Sequence, residues 1–273
     1  PRFIFPSSTS VYGVASDVVH EDDDNFINPQ SPYAESKIKI ENMIKNELGK
    51  DTKYLILRFG TIFGTSVGMR FHTAINKFCY EVVMKRPLTI WKQNYEQYRP
   101  YLGLNDALRS VEHFIIKDDD CWNNTYNVLS LNSKLKDIIS CIEETTGKVE
   151  LNMVNTPLLN QFSYKVNDNK VKNTGFIPTD KLVDSVKDTL HMFRGIKWKV
   201  KNYRLILNMM KYYNNKKIGI TGNKGYIGSA LYYELKKLNC NVKCIDVDVS
   251  NKEEVKIELE KNKFDIIFYL ASV

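Results

Sequence analysis

Cysteine and histidine are too sparse and too scattered in this chain to build a metal centre. The five cysteines (Cys79, Cys121, Cys141, Cys240, Cys244) contain no Cys-x-x-Cys pair. Cys240 and Cys244 lie four apart, but no His or Cys pair follows to complete a zinc site. They read as buried thiols in a reducing compartment, so the expectation is a cytoplasmic protein without a metal. The four histidines carry no pattern. No apolar run approaches the ~20 residues that span a bilayer, which argues against a membrane partner. No short-period repeat is present, which argues against a solenoid.

Acidic residues are missing from one segment alone. Between Lys197 and Lys217 there are seven basic residues and no acidic one, and the remaining 32 basic residues equal the 32 acidic ones. The net charge of +7 is therefore local. It reads as a solvated connector rather than a nucleic-acid surface. The rest of the composition, 43% hydrophobic and 26% charged, is that of an ordinary globular chain.

Short apolar runs alternate with amphipathic stretches. Phe3-Ile4-Phe5 is strand-like and leads into Ser7-Ser8-Thr9-Ser10, with an acidic loop at Glu21-Asp22-Asp23-Asp24 beyond it. Ser31-Pro32 is a helix start, with Ser as N-cap and Pro in the first turn. Ile40, Ile44 and Leu48 give that helix one apolar face, and Tyr54–Leu57 is a second buried strand. After the basic segment a fresh unit begins. Strand-like runs at 217–221, 242–245 and 266–270 are separated by helical stretches. Such alternation predicts right-handed crossovers and a doubly wound parallel sheet, an α/β fold.

Gly222, Gly225 and Gly228 follow the first of these strands and open a helix near Tyr226 and Ile227. Glycine suits a tight turn that lets a pyrophosphate approach the backbone, while the helix N-terminus offers free N–H groups and a positive dipole end. A carboxylate is expected about 20 residues on to hold the adenosine ribose, and Asp246 stands 18 beyond Gly228 at the end of the next strand. It would repel a 2′-phosphate, so NAD is expected rather than NADP, although Lys224 in the loop leans the other way.

Tyr33 and Lys37 lie four apart, on one helix face. A phenol has an unperturbed pKa of about 10, so work as a base requires a neighbouring cation to stabilise its phenolate. The spacing alone is common on surface helices. Its force comes from following a serine-rich strand end, where Ser8 can orient a substrate oxygen.

The runs Ile4-Phe-Pro-Ser-Ser-Thr-Ser-Val-Tyr-Gly13 and Ser31-Pro-Tyr-Ala-Glu-Ser-Lys37 together resemble the extended short-chain dehydrogenases, above all the nucleotide-sugar epimerases. Leu57–Gly64, Tyr98–Tyr101 and Tyr126-Asn127-Val128 look like later stations of that family. The resemblance implies a Rossmann-type sheet with a smaller C-terminal substrate-binding region. It also implies NAD as cofactor, a nucleotide-sugar substrate and a homodimer when the full unit is present. Ser8, Tyr33 and Lys37 match the catalytic triad, with Tyr33 and Lys37 also touching the cofactor. Arg99 matches an arginine that contacts the nucleotide diphosphate. Thr61 stands at a substrate-contact position where many relatives have asparagine. Sugar 4,6-dehydratases place Asp-Glu where this chain has Thr9-Ser10, so elimination would lack its general acid. The expectation is an epimerase, with a keto-sugar reductase or a non-catalytic NAD-binding scaffold as alternatives.

The order of these motifs is inverted relative to the family, because Tyr33 precedes Gly222. The expected organisation is a catalytic and substrate-binding portion at 1–195, a basic linker at 196–215 and an NAD-binding portion at 216–273. A fragment spanning two units accounts for this order, and a circular permutant of one unit is the alternative.

Overall fold

The computed structural model describes residues 2–13, 15, 18–48, 51–66, 68–71, 73–117, 119–155, 163–194, 216–222, 231–233, 235–236, 240–247 and 251–269. The basic linker at 196–215 lies outside them, as do Gly225, Tyr226, Ile227 and Gly228 of the glycine loop.

A six-stranded parallel sheet organises the molecule. From one edge its order is β12 (Asn241–Cys244), β11 (Lys217–Thr221), β13 (Ile266–Tyr269), β1 (Arg2–Ser8), β3 (Lys53–Phe59) and β7 (Asn124–Val128). The two stretches of chain separated by the linker therefore share one ladder. β13 lies between them, pairing Phe268 with Ile220 on one side and with Ile4 on the other. β1, β3 and β11 are buried on both faces, which is why their sequences carry runs of apolar residues rather than alternations.

Successive residues of these strands enter different cores, as the two-residue strand period requires. Ile4, Leu55 and Leu57 pack with Phe114 and Val111 of α3 (Leu104–Ile115), and with Leu231 and Leu235, a helical pair four apart. Phe5 and Ile56 point the other way, against Ile44 of α1 (Pro32–Glu47). The apolar stripe read from the sequence places Ile44 in this core and sets Ile40 and Leu48 against its edge.

A second core forms the smaller region. It gathers Ile75 and Phe78 of α2 (Ala74–Val83), Ile138 and Ile142 of α4 (Leu135–Thr146), and Val186 and Leu190 of α6 (Leu182–Phe193). Between α4 and α6 lies the short helix α5 (Asn169–Asn173). A buried carboxylate pair ties this region to the large sheet. The Asp106 carboxylate accepts from the backbone N–H groups of Thr179 and Asp180, each at 2.9 Å, and the Asp180 carboxylate accepts from the Asp106 N–H at 2.9 Å. Desolvation raises the Asp180 pKa, so its remaining partners in this clasp hold a carboxyl that burial would otherwise neutralise.

Phe268 is 2% exposed and bridges the two stretches of chain through its neighbours on β11 and β1. Phe268→Ala is expected to cost about 3–5 kcal/mol. Urea denaturation followed by circular dichroism and by tryptophan fluorescence should show one coincident, earlier transition. Two separated transitions, with only the first moved by the substitution, would mean that 216–269 is an independent body.

Candidate active site

Parallel strands all end at the same edge of their sheet, and among the described residues Ser8, Gly222 and Asp246 lie at that edge. Ser8 closes β1 and caps the 3-10 turn Thr9–Tyr12, its hydroxyl accepting from the Ser10 N–H at 3.2 Å. The Ser10 hydroxyl donates to the same oxygen at 2.9 Å. The turn closes at Gly13, whose φ of 66° is left-handed. A Cβ there would collide with the Asn28 carbonyl oxygen, so glycine is required twice over.

Tyr33 sits in the first turn of α1, which begins as the sequence predicts. The Ser31 hydroxyl accepts from the Ala34 N–H at 3.2 Å, and Pro32 follows the cap. Tyr33 is 45% exposed, and Ser8 lies close enough to lower its pKa. One turn on, Lys37 is 9% exposed. Its ammonium donates to the Pro6 carbonyl at 3.0 Å and lies 5.6 Å from the Tyr33 ring centre and 4.8 Å from that of Phe5. The serine, tyrosine and lysine of the sequence reading are thus brought together.

Burial works against the phenolate. The Tyr33 pKa is raised, because desolvation outweighs the lowering by Ser8 and by the charge of Arg70. Lys37 faces the ring rather than the hydroxyl, and burial brings its own pKa down to about 8 against the pull of Glu41. At neutral pH the phenol is a proton donor.

Thr61 and Arg99 are placed by a second ladder, in which β4 (Thr61–Phe63) pairs with β6 (Tyr98–Gly103) and β6 with β8 (Leu131–Lys134). Thr61 is half-buried opposite Tyr101. The Arg99 charge reaches both Tyr101 and Tyr164, and Tyr164 hydrogen-bonds Thr9, the neighbour of Ser8.

On the other side of the sheet centre, β11 ends at Gly222, whose φ of 65° starts the turn that the glycine motif predicts. Asp246 follows β12 with its side chain exposed, and the register of β11 with β12 sets the two residues side by side at the same edge. A strand-ending left-handed glycine beside a carboxylate fits the adenosine end of a dinucleotide. Among the described residues, no group of three His, Cys, Asp or Glu could hold a metal ion, and no helix is long and apolar enough to cross a membrane.

Sequence reasoning passed over the polar layer beneath this site. Glu41 and Arg58 are fully buried and paired: Arg58 Nη2 donates to Glu41 Oε2 at 2.6 Å and Nε donates to Oε1 at 3.1 Å. Arg58 Nη1 donates to the Tyr12 hydroxyl at 3.0 Å, which donates to Asn127 Oδ1 at 2.6 Å, and the Asn127 amide donates to Glu21 at 2.9 Å. Two signals could have found it. Tyr33, Lys37 and Glu41 recur at steps of four, and Arg58 is a lone charge in an apolar strand.

A parallel sheet carries Ser8, Tyr33 and Lys37 near its carboxyl edge. Residues 1–128 match the model of the NAD dependent epimerase/dehydratase family. Among solved structures, the chain is similar to UDP-glucuronic acid 4-epimerase from Bacillus cereus in complex with UDP-glucuronic acid and NAD. That match has 23% identity and a TM-score of 0.63 over 71% of this chain and 62% of that one. It is similar to UDP-glucose 4-epimerase from Thermus thermophilus in complex with NAD, with 20% identity and a TM-score of 0.60 over 71% and 64%. A third likeness is to RMD from Pseudomonas aeruginosa complexed with NADPH, with 18% identity and a TM-score of 0.62 over 71% and 67%. At these identities the likenesses establish the fold. The chain spans about 62% of the length of the Bacillus cereus protein.

Lys37 gives the site a measurable pH signature. Between its folded value of about 8 and the ordinary lysine value of 10.5, the unfolded chain holds a proton that the folded chain has released. Stability must therefore rise with pH across that window. Relative to Lys37→Met, the wild-type chain is expected to gain about 3 kcal/mol of unfolding free energy from pH 8 to pH 10.5 in urea titrations. Parallel profiles for the two proteins would show that Lys37 titrates as an ordinary lysine.

Proposed function

We propose that this chain carries the active site of an NAD-dependent nucleotide-sugar epimerase. The observation that carries the reading is the meeting of Ser8, Tyr33 and Lys37 at one strand end, with the Lys37 ammonium over the Tyr33 ring and bonded to the Pro6 carbonyl. NAD, when bound, supplies the hydride acceptor and donor. Gly222, Gly225, Tyr226, Ile227 and Gly228 would hold its phosphates, and Asp246 its adenosine ribose. Tyr33 and Lys37 would line the nicotinamide end.

Within this reading Ser8 orients the reacting sugar oxygen and Tyr33 exchanges its proton. As a phenolate Tyr33 accepts the hydroxyl proton on oxidation, and as a phenol it returns one to the keto oxygen when the sugar is reduced again from its other face. Positive charge favours the phenolate, and Arg70 already exerts that pull. Arg99 suits a nucleotide diphosphate, since its planar fork matches phosphate oxygens, and Thr61 lines the sugar side. A homodimer in a reducing, cytoplasmic setting completes the proposal.

The raised Tyr33 pKa favours a second reading, a keto-sugar reductase of the same family, because it makes the phenol a donor first. A panel of UDP-, GDP-, CDP- and dTDP-sugars, assayed in both directions, separates the two. Tyr33→Phe is expected to lower turnover at least ~10²-fold while leaving NAD affinity unchanged in calorimetry. Turnover retained in that variant would remove Tyr33 from the mechanism, and NAD binding without turnover of any sugar would favour a scaffold.

A further inference from the structure

We propose that Glu41 is a positioning residue for the site: clamped by Arg58, its buried carboxylate supplies the negative charge that keeps the Lys37 ammonium charged beneath Tyr33. The inference rests on the reading of Ser8, Tyr33 and Lys37 as the reacting cluster.

The surroundings of Lys37 leave little else to balance it. On α1 it faces the Tyr33 ring, and on β1 the Phe5 ring and the Pro6 carbonyl. Aromatic faces and a neutral carbonyl attract an ammonium but do not neutralise it. Glu41 lies one helical turn further along the same face, and it is the opposite charge that pulls against the desolvation of Lys37. Tyr33, Lys37 and Glu41 thus form one stripe, of which the first is half exposed and the last fully buried.

Glu41 could not do this alone, because an unpaired buried carboxylate takes up a proton. The Ser7 hydroxyl donates to it in a short hydrogen bond from β1. From β3, Arg58 grips it through both Nε and Nη2. Desolvation alone would lower the Arg58 pKa, but the hydrogen bonds and charge of Glu41, with those of Tyr12, raise it above the ordinary value, so the clamp stays ionised. The guanidinium spends its third donor on Tyr12, away from Lys37. The carboxylate is held in one position by groups on two strands.

A clamp that only stabilised the fold would leave the proton on Lys37 alone. The test is an NMR titration of the full chain labelled with lysine 13Cε, with the Lys37 signal assigned by its loss in Lys37→Arg. In Glu41→Gln, Lys37 is expected to lose proton affinity by roughly tenfold. Glu41→Asp, which keeps the charge, should restore most of it. Should Glu41→Gln strand the Arg58 charge and fail to fold, Glu41→Gln combined with Arg58→Met removes both charges. A smaller loss of affinity is expected there, because the Arg58 charge that offsets part of the Glu41 charge leaves with it. An unchanged Lys37 midpoint in either folded variant overturns the proposal. The measurement needs neither NAD nor sugar. A shifted midpoint with Tyr33→Phe still turning over would sink the epimerase reading and leave the clamp standing.

Discussion

The ion pair between Arg58 and Glu41 is the constraint on which the rest of this structure depends. Both side chains are 1% exposed, so neither can recover its lost hydration from solvent. A buried pair of this kind is tolerable only when geometry and further hydrogen bonds satisfy every charged atom. That requirement fixes α1 against β1 and β3, because the carboxylate comes from the helix, the guanidinium from β3 and the Ser7 hydroxyl from β1. It also fixes the far side. Tyr12, Asn127 and Glu21 continue the chain of hydrogen bonds to β7 and the acidic loop. Burial raises the pKa of Glu21, and the two donors from Asn127 hold it against that rise. The reacting side chains rest on this polar layer, and its registry is passed to them through one helix face.

The sheet supplies the second condition. Its six strands run parallel, so every carboxyl end opens on one edge, and ligands of such sheets bind there. Because β13 joins β11 to β1, Gly222 and Asp246 face the same edge as Ser8 although the chain reaches them last. The smaller region hangs on the opposite flank by the reciprocal bonds of Asp106 and Asp180. Lys37 is buried at the end of β1, and that desolvation drives its pKa to about 8.

Most of the frame was legible in the sequence, because burial on both faces writes itself as apolar runs. Phe3–Phe5, Tyr54–Leu57 and the run from Ile266 are strands in one ladder, and their short lengths and intervening helices announced a parallel sheet. Tyr33 and Lys37 were legible from spacing and from the serines before them. Glu41 and Arg58 were not. A glutamate on an amphipathic helix reads as solvent-facing, and only the fold shows that its face is covered by an arginine from β3. Spacing also places Lys37 near Tyr33 without showing that it stacks on the ring or that burial raises the phenol's pKa. Gly225, Tyr226, Ile227 and Gly228 lie outside the described residues, so of the expected phosphate and ribose contacts the structure describes Gly222 and Asp246.

The account's central claim is that the buried pair acts as one unit, and a double-mutant cycle on stability tests it most directly. Glu41→Gln and Arg58→Met, measured singly and together by urea denaturation at pH 7, are each expected to cost about 3–5 kcal/mol. The double variant should cost less than the two single costs together by at least about 1–3 kcal/mol, since the second substitution removes a charge that the first has already stranded. Single costs that add to within about 0.5 kcal/mol would contradict the account, because the two side chains would then be independent and the helix would owe its position to something else.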